Sequence, residues 1–254
     1  MAGSSRGPAA GTARQFALPL PIAASCDRAD LLEDASNAEA LAWLDRPETW
    51  PGARLALFGP EGVGKTHMGR AFAAQHGWRL LEGPHLRGLP PPAAGGTVLD
   101  DADAVAEEAA LFHLINLCAE RREGLLLIGR EAPARWPVAL PDLASRLRAT
   151  TAVGIGRPGD ALLAALLAKL FADRQLRVAA EVQAWLLARL PREAAALAEA
   201  VARLDRAALV GAVPVTRALA RATLAGWDGF GEAAGDDASV ATADSASPPV
   251  PALL

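Results

Sequence analysis

The sequence predicts an α/β fold in which a parallel sheet covered by helices is followed by a smaller, all-helical unit. Three observations carry this reading. Between Arg54 and Ile155, short apolar runs of strand length alternate with helix-like stretches, which is the pattern of βαβ units. A glycine-rich segment ending in Lys65-Thr66 joins the first of those runs to the first of those helices. Beyond Pro158 the strand-like runs stop and only helical patterns remain.

The elements follow in order. Arg54–Phe58 (RLALF) is a continuous apolar run that suits a strand covered on both faces. A helix is expected from about residue 65 to 75, and a short strand over 78–81. Residues 84–96 are rich in proline and glycine and must be loop. A third strand, 97–99, ends on Asp100-Asp101 and leads into a helix over about 104–122. The fourth and fifth strands are expected at 125–128 and 151–155. Four helical segments then occupy 160–174, 179–190, 192–209 and 215–226, with breaks at Arg177, Pro191 and Pro214. The chain therefore divides into an α/β part over 23–156 and a helical part over 157–230. A small-residue N-terminus (1–13) and an Ala-, Ser- and Pro-rich tail (231–254) are both expected to be disordered.

Composition narrows the class of protein. The 254 residues are 52% hydrophobic and carry 25 basic against 29 acidic side chains, a net charge of −4. Such a chain can bury a core, and it is not held on DNA or an anionic membrane mainly by its own charge. Cys26 and Cys118 have no cysteine or histidine nearby in sequence, which argues against a disulfide framework or a thiolate zinc site and fits a reducing compartment. The first residues lack the apolar stretch of a secretory signal. The most apolar run, 161–168, is too short to span a bilayer. A cytoplasmic location is expected. Only Lys65 and Lys169 among the basic residues are lysines, so a lysine that persists in so arginine-biased a chain invites a reason.

Gly59-Pro60-Glu61-Gly62-Val63-Gly64-Lys65-Thr66 fits G-x-x-x-x-G-K-[ST] and lies between a predicted strand and a predicted helix. Glycines let the backbone curl so that successive N–H groups meet phosphate oxygens, and the helix that follows adds the positive end of its dipole. The expected nucleotide-binding set is Gly59, Gly62, Val63, Gly64, Lys65, Thr66 and His67. Lys65 supplies a compact charge that arginine's broad fork would replace poorly, and Thr66 a hydroxyl for Mg²⁺. Asp100, delivered by the third strand, is expected to share that metal, while Asp101 can orient an attacking water.

These motifs, with Asn37-Ala38-Glu39-Ala40, the run Leu140-Pro141-Asp142-Leu143-Ala144-Ser145-Arg146-Leu147, and Leu204-Asp205-Arg206-Ala207, resemble the AAA+ module of the bacterial replication initiator DnaA, and most of all the Hda family of DnaA-related regulators. The likeness spans about residues 15–227. It implies a P-loop AAA+ sheet subdomain followed by a helical lid, binding ADP or ATP with Mg²⁺. It further implies a protein that works with DnaA and the DNA-loaded sliding clamp to promote hydrolysis of the ATP held by DnaA. DNA would be met only through those partners, and a homo-oligomer is compatible with the family. By the same resemblance Arg146 is an arginine finger acting on a neighbour's nucleotide, with Arg148 as the alternative. Gln15, Phe16, Leu18 and Pro19, within 14–22, resemble a clamp-binding peptide; their apolar side chains could equally pack back on the domain. An autonomous P-loop ATPase such as a helicase loader, and a non-catalytic adaptor of DnaA or the clamp, are the alternative functions.

Two departures from the pattern suggest weak intrinsic turnover. The fourth strand ends Leu127-Ile128-Gly129-Arg130 where a polar sensor is usual, and the lid's sensor arginine aligns with Ala195. Arg192, three residues earlier, is the substitute expected to reach nucleotide. Trp43 and Trp50 border an adenine pocket or belong to the core. Arg217 and Arg221 form a solvated face or a weak nucleic-acid contact.

Overall fold

A computed structural model describes residues 28, 31–88, 95–228 and 230–231. The expected disordered N-terminus, the clamp-binding peptide and, but for Gly231, the tail lie outside those residues. Five strands form one sheet: β1 (Arg54–Phe58), β2 (Arg79–Glu82), β3 (Gly96–Asp100), β4 (Gly124–Gly129) and β5 (Thr151–Gly154). All pairings are parallel and the order is β2-β3-β4-β1-β5. Every strand therefore ends on the same edge of the sheet.

Alternation along the strands sorts the core into two layers. Leu55 and Leu57 of β1, with Leu126 and Ile128 of β4, face α1 (Ala38–Leu44) and α2 (Lys65–His76). Ala56, Leu125 and Leu127 face α3 (Glu108–Arg121) and α4 (Pro141–Arg148). Each fully buried leucine contributes about 1.5–3 kcal/mol relative to exposure, so the central strands are held from both sides.

The chain then leaves the sheet for α5 (Asp160–Asp173), α6 (Ala180–Leu187), α7 (Ala194–Gly211) and α8 (Arg217–Leu224), which close round their own core of Leu167, Phe171, Leu186, Val201 and Leu204.

Several expected boundaries move by two residues or more, among them these. The helix expected from 104 begins at Glu108, because Asp101 takes a left-handed conformation, a 3-10 turn spans Ala102–Ala104 and Val105 is extended. The helix expected over 179–190 ends at Leu187. The last helix starts at Arg217 because the Thr216 hydroxyl caps it, accepting the Leu219 N–H at 3.2 Å. Both α1 and α4 lie where no helix was assigned. In α4, Pro141 occupies the first turn, and Leu143 and Leu147, four residues apart, turn inward.

Candidate functional site

The segment after β1 curls as its glycines permit. Gly62 and Gly64 sit at φ 79° and 97°, where a side chain would be strained, and Gly64 precedes the first turn of α2. A Cβ on Gly59 would stand 2.3 Å from the Ile155 carbonyl oxygen, so the loop's first residue is tied closely to the segment after β5. The Lys65 ammonium folds back over the loop and donates to the carbonyl oxygens of Gly59 and Pro60 at 2.8 and 2.7 Å. Burial lowers its pKa, against the opposing pull of Asp100, Asp103 and Asp101. That coupling puts the lysine and the three carboxylates in one electrostatic neighbourhood, as parallel strands ending on one edge require.

Asp100 is buried at the end of β3 and its carboxylate accepts the Asp101 N–H at 3.1 Å. Asp101 is exposed, at φ 48°, ψ 44°. Its carboxyl is pushed up, first by partial desolvation and then by the like charges of Asp100 and Asp103. Thr66 and Asp100 are hard oxygen donors suited to a Mg²⁺ that completes its shell with phosphate oxygens and water. Among the described residues no group of three or more His, Cys, Asp or Glu side chains could hold a metal by itself.

Residues that the motifs did not single out complete this edge. Asp103 accepts the Arg130 N–H at 2.7 Å, which pins the end of β4, and the Arg130 guanidinium pairs with Glu61 of the loop at 3.5 Å. From the lid, Ala194 N–H donates to the Gly62 carbonyl at 3.2 Å, and the Glu193 side chain lies against Gly62. Arg192 is ion-paired with Asp160 at the start of α5, one residue from that contact. His67 is half-buried in the first turn of α2, and Ala195 is exposed on α7. Asp34 joins the two parts: its carboxylate accepts the N–H groups of Ser36 at 2.8 Å and of Gly159 at 3.0 Å.

Arg146 stands elsewhere. Helix α4 runs down to the start of β5, and Arg54, the first residue of β1, donates to the Arg146 carbonyl at 3.3 Å. The phosphate loop follows the other end of β1. Arg146 and Arg148 are both exposed.

Trp50 does not border the phosphate loop. It is buried, stacked on Phe72 with ring centroids 5.4 Å apart and edge-on to Trp78 at 5.6 Å. It lines a cavity of about 620 Å³ with Trp78, Arg122 and Gly124, where strands begin rather than end. Its place is core.

The fold has counterparts among solved structures. Domain III of the Thermotoga maritima replication initiation protein DnaA superposes with a TM-score of 0.67 at 14% identity, over 81% of this chain and 98% of that one. The fold is that of such P-loop AAA+ domains. The replication initiator DnaA bound to AMPPCP and single-stranded DNA matches with a TM-score of 0.56 at 15% identity, over 69% of this chain and 63% of its own. The Thermotoga maritima RuvB Holliday junction branch migration motor gives 0.53 at 14%, over 67% of this chain and 60% of its own. The chain thus spans less than two thirds of the longer of these proteins. It matches no protein-family model and no curated protein. Among the described residues no helix is long and apolar enough to cross a membrane.

Proposed function

We propose that this chain is a nucleotide-binding AAA+ regulator that binds ADP or ATP with Mg²⁺ and, with the DNA-loaded sliding clamp, stimulates ATP hydrolysis by DnaA. In this reading Gly59 to His67 hold the phosphates, Thr66 and Asp100 hold the metal, and Gln15, Phe16, Leu18 and Pro19 dock on the clamp. The bound metal would neutralise charge developing on the phosphates. Arg146 acts in trans. The observation that carries the reading is its position: an exposed guanidinium near the start of β1, while the chain's own phosphate loop follows the end of that strand. An always-charged planar donor suits the charge spread over a transferring phosphoryl group.

Weak intrinsic turnover is part of the proposal. Support comes from Gly129-Arg130 at the end of β4, from exposed Ala195, and from the engagement of Arg192 with Asp160.

The test is reconstituted hydrolysis of DnaA-bound ATP in the presence of loaded clamp. Wild-type chain is expected to stimulate it, and Arg146→Ala to lose most of that stimulation, on the order of 10³-fold where the finger is fully engaged. Equal stimulation by the variant would refute the mechanism. Deleting residues 15–19 is expected to abolish clamp capture while nucleotide binding persists.

A further inference from the structure

We infer that Arg54 and Arg146 are the two cationic walls of one notch, which receives the phosphate chain of a nucleotide bound by a neighbouring protein. Arg54 is then a positioning residue that also supplies charge. This rests on the trans action proposed above for Arg146 and adds a second residue to it.

The notch is a depression of about 530 Å³ lined by Arg54, Phe112, Asp142, Ser145, Arg146 and Ala149. Its two arginines come from different elements, β1 and α4, with Asp142 the lone carboxylate in the lining. Arg54 is only partly exposed, and its Nε–H, shielded from water, meets no acceptor. Unpartnered buried donors are rare enough to need a reason. Burial, and then the nearby Arg146 charge, make the Arg54 cation less favourable than an ordinary guanidinium, and a guanidinium cannot escape by losing its proton. An anion in the notch removes that disadvantage.

The same geometry holds Arg146 in place before any partner arrives. Its carbonyl accepts from Arg54 at 3.3 Å and from the Thr150 hydroxyl at 2.9 Å, while its guanidinium lies 5.4 Å from the Phe112 ring centroid. Preorganised donors of this kind stabilise charge without reorganising during the reaction. A polyphosphate carries several charges along its length and can engage both walls at once.

Two measurements test the notch. In the DnaA hydrolysis assay, Arg54→Ala is expected to lower maximal stimulation about ten-fold or more, with the half-saturating concentration of the chain and its melting temperature little changed. Arg54→Lys recovers part of the loss, and it takes the place of the alanine variant should that fail to fold. Separately, the full chain carrying Lys65→Ala, or wild type saturated with ADP and Mg²⁺, is titrated with inorganic tripolyphosphate while arginine side-chain nitrogen resonances are followed. Saturable movement of the Arg54 and Arg146 signals is expected.

Arg54→Ala stimulating as well as wild type, while Arg146→Ala does not, would overturn the role of Arg54 and leave the proposed function standing. A wild-type chain that fails to stimulate DnaA, but whose two arginine signals respond to tripolyphosphate, would overturn the proposed function and leave the notch. Signals that stay in place throughout the titration overturn the notch.

Discussion

Asp101 combines two unfavourable features, a left-handed backbone and a carboxylate beside Asp100 and Asp103. Asparagine tolerates the same backbone region and carries no charge. Asp101→Asn is therefore expected to raise the melting temperature, and calorimetry showing a fall would mean the carboxylate is held by favourable contacts. The pH dependence has the matching sign. A carboxyl whose pKa is raised by folding penalises the folded state when ionised, so the penalty persists above its raised value and lifts as pH falls through it. Lys65 was legible as a functional residue because it survives in an arginine-rich chain inside a spaced glycine pattern. Asp103, Glu61 and Arg130 were not, since strand order alone brings the ends of β3 and β4 to the loop after β1.

Trp78 shows how an element boundary is set by packing. Its ring covers the first residues of β3 and β4, where a Cβ on Gly96 would lie 2.6 Å from it and one on Gly124 only 2.0 Å. Gly124→Ala is expected to cost about 1–3 kcal/mol through overpacking, measured from the urea midpoint. Adding Trp78→Ala should restore part of that loss, because the two positions share one contact; strictly additive effects would show that the ring is not the obstacle. The five strands were legible to within a residue or two, since buried runs such as RLALF have few other places to go. Helix α4 was harder to see. Its inward face consists of Leu143 and Leu147 alone, and a two-residue stripe between a proline and a strand carries little periodicity.

Across the whole molecule, Asp34 is a junction between the segment before α1 and the turn that starts α5. Burial raises its pKa, but hydrogen bonds from the Ser36 hydroxyl, the Gly159 amide and the Ser36 amide outweigh that and hold it below the usual carboxylate range. A depressed carboxyl contributes stability that is present above its unfolded value, about 3.9, and is lost as pH falls through the folded one. Asp34→Ala should thus speed hydrogen exchange at Gly159 near neutral pH and remove part of the acid sensitivity of folding; exchange identical to wild type would show that the lid is tied on elsewhere. The succession of the five strands along the chain, the phosphate loop and the acidic end of β3 could all be read from the chain alone, because each depends on neighbours only a few residues apart. The meeting of Arg130 with Glu61, of Glu193 with Gly62, and of Arg54 with Arg146 required the folded structure. Those partners are far apart in sequence, and they share a surface only after the sheet has chosen its order and the lid has closed on it.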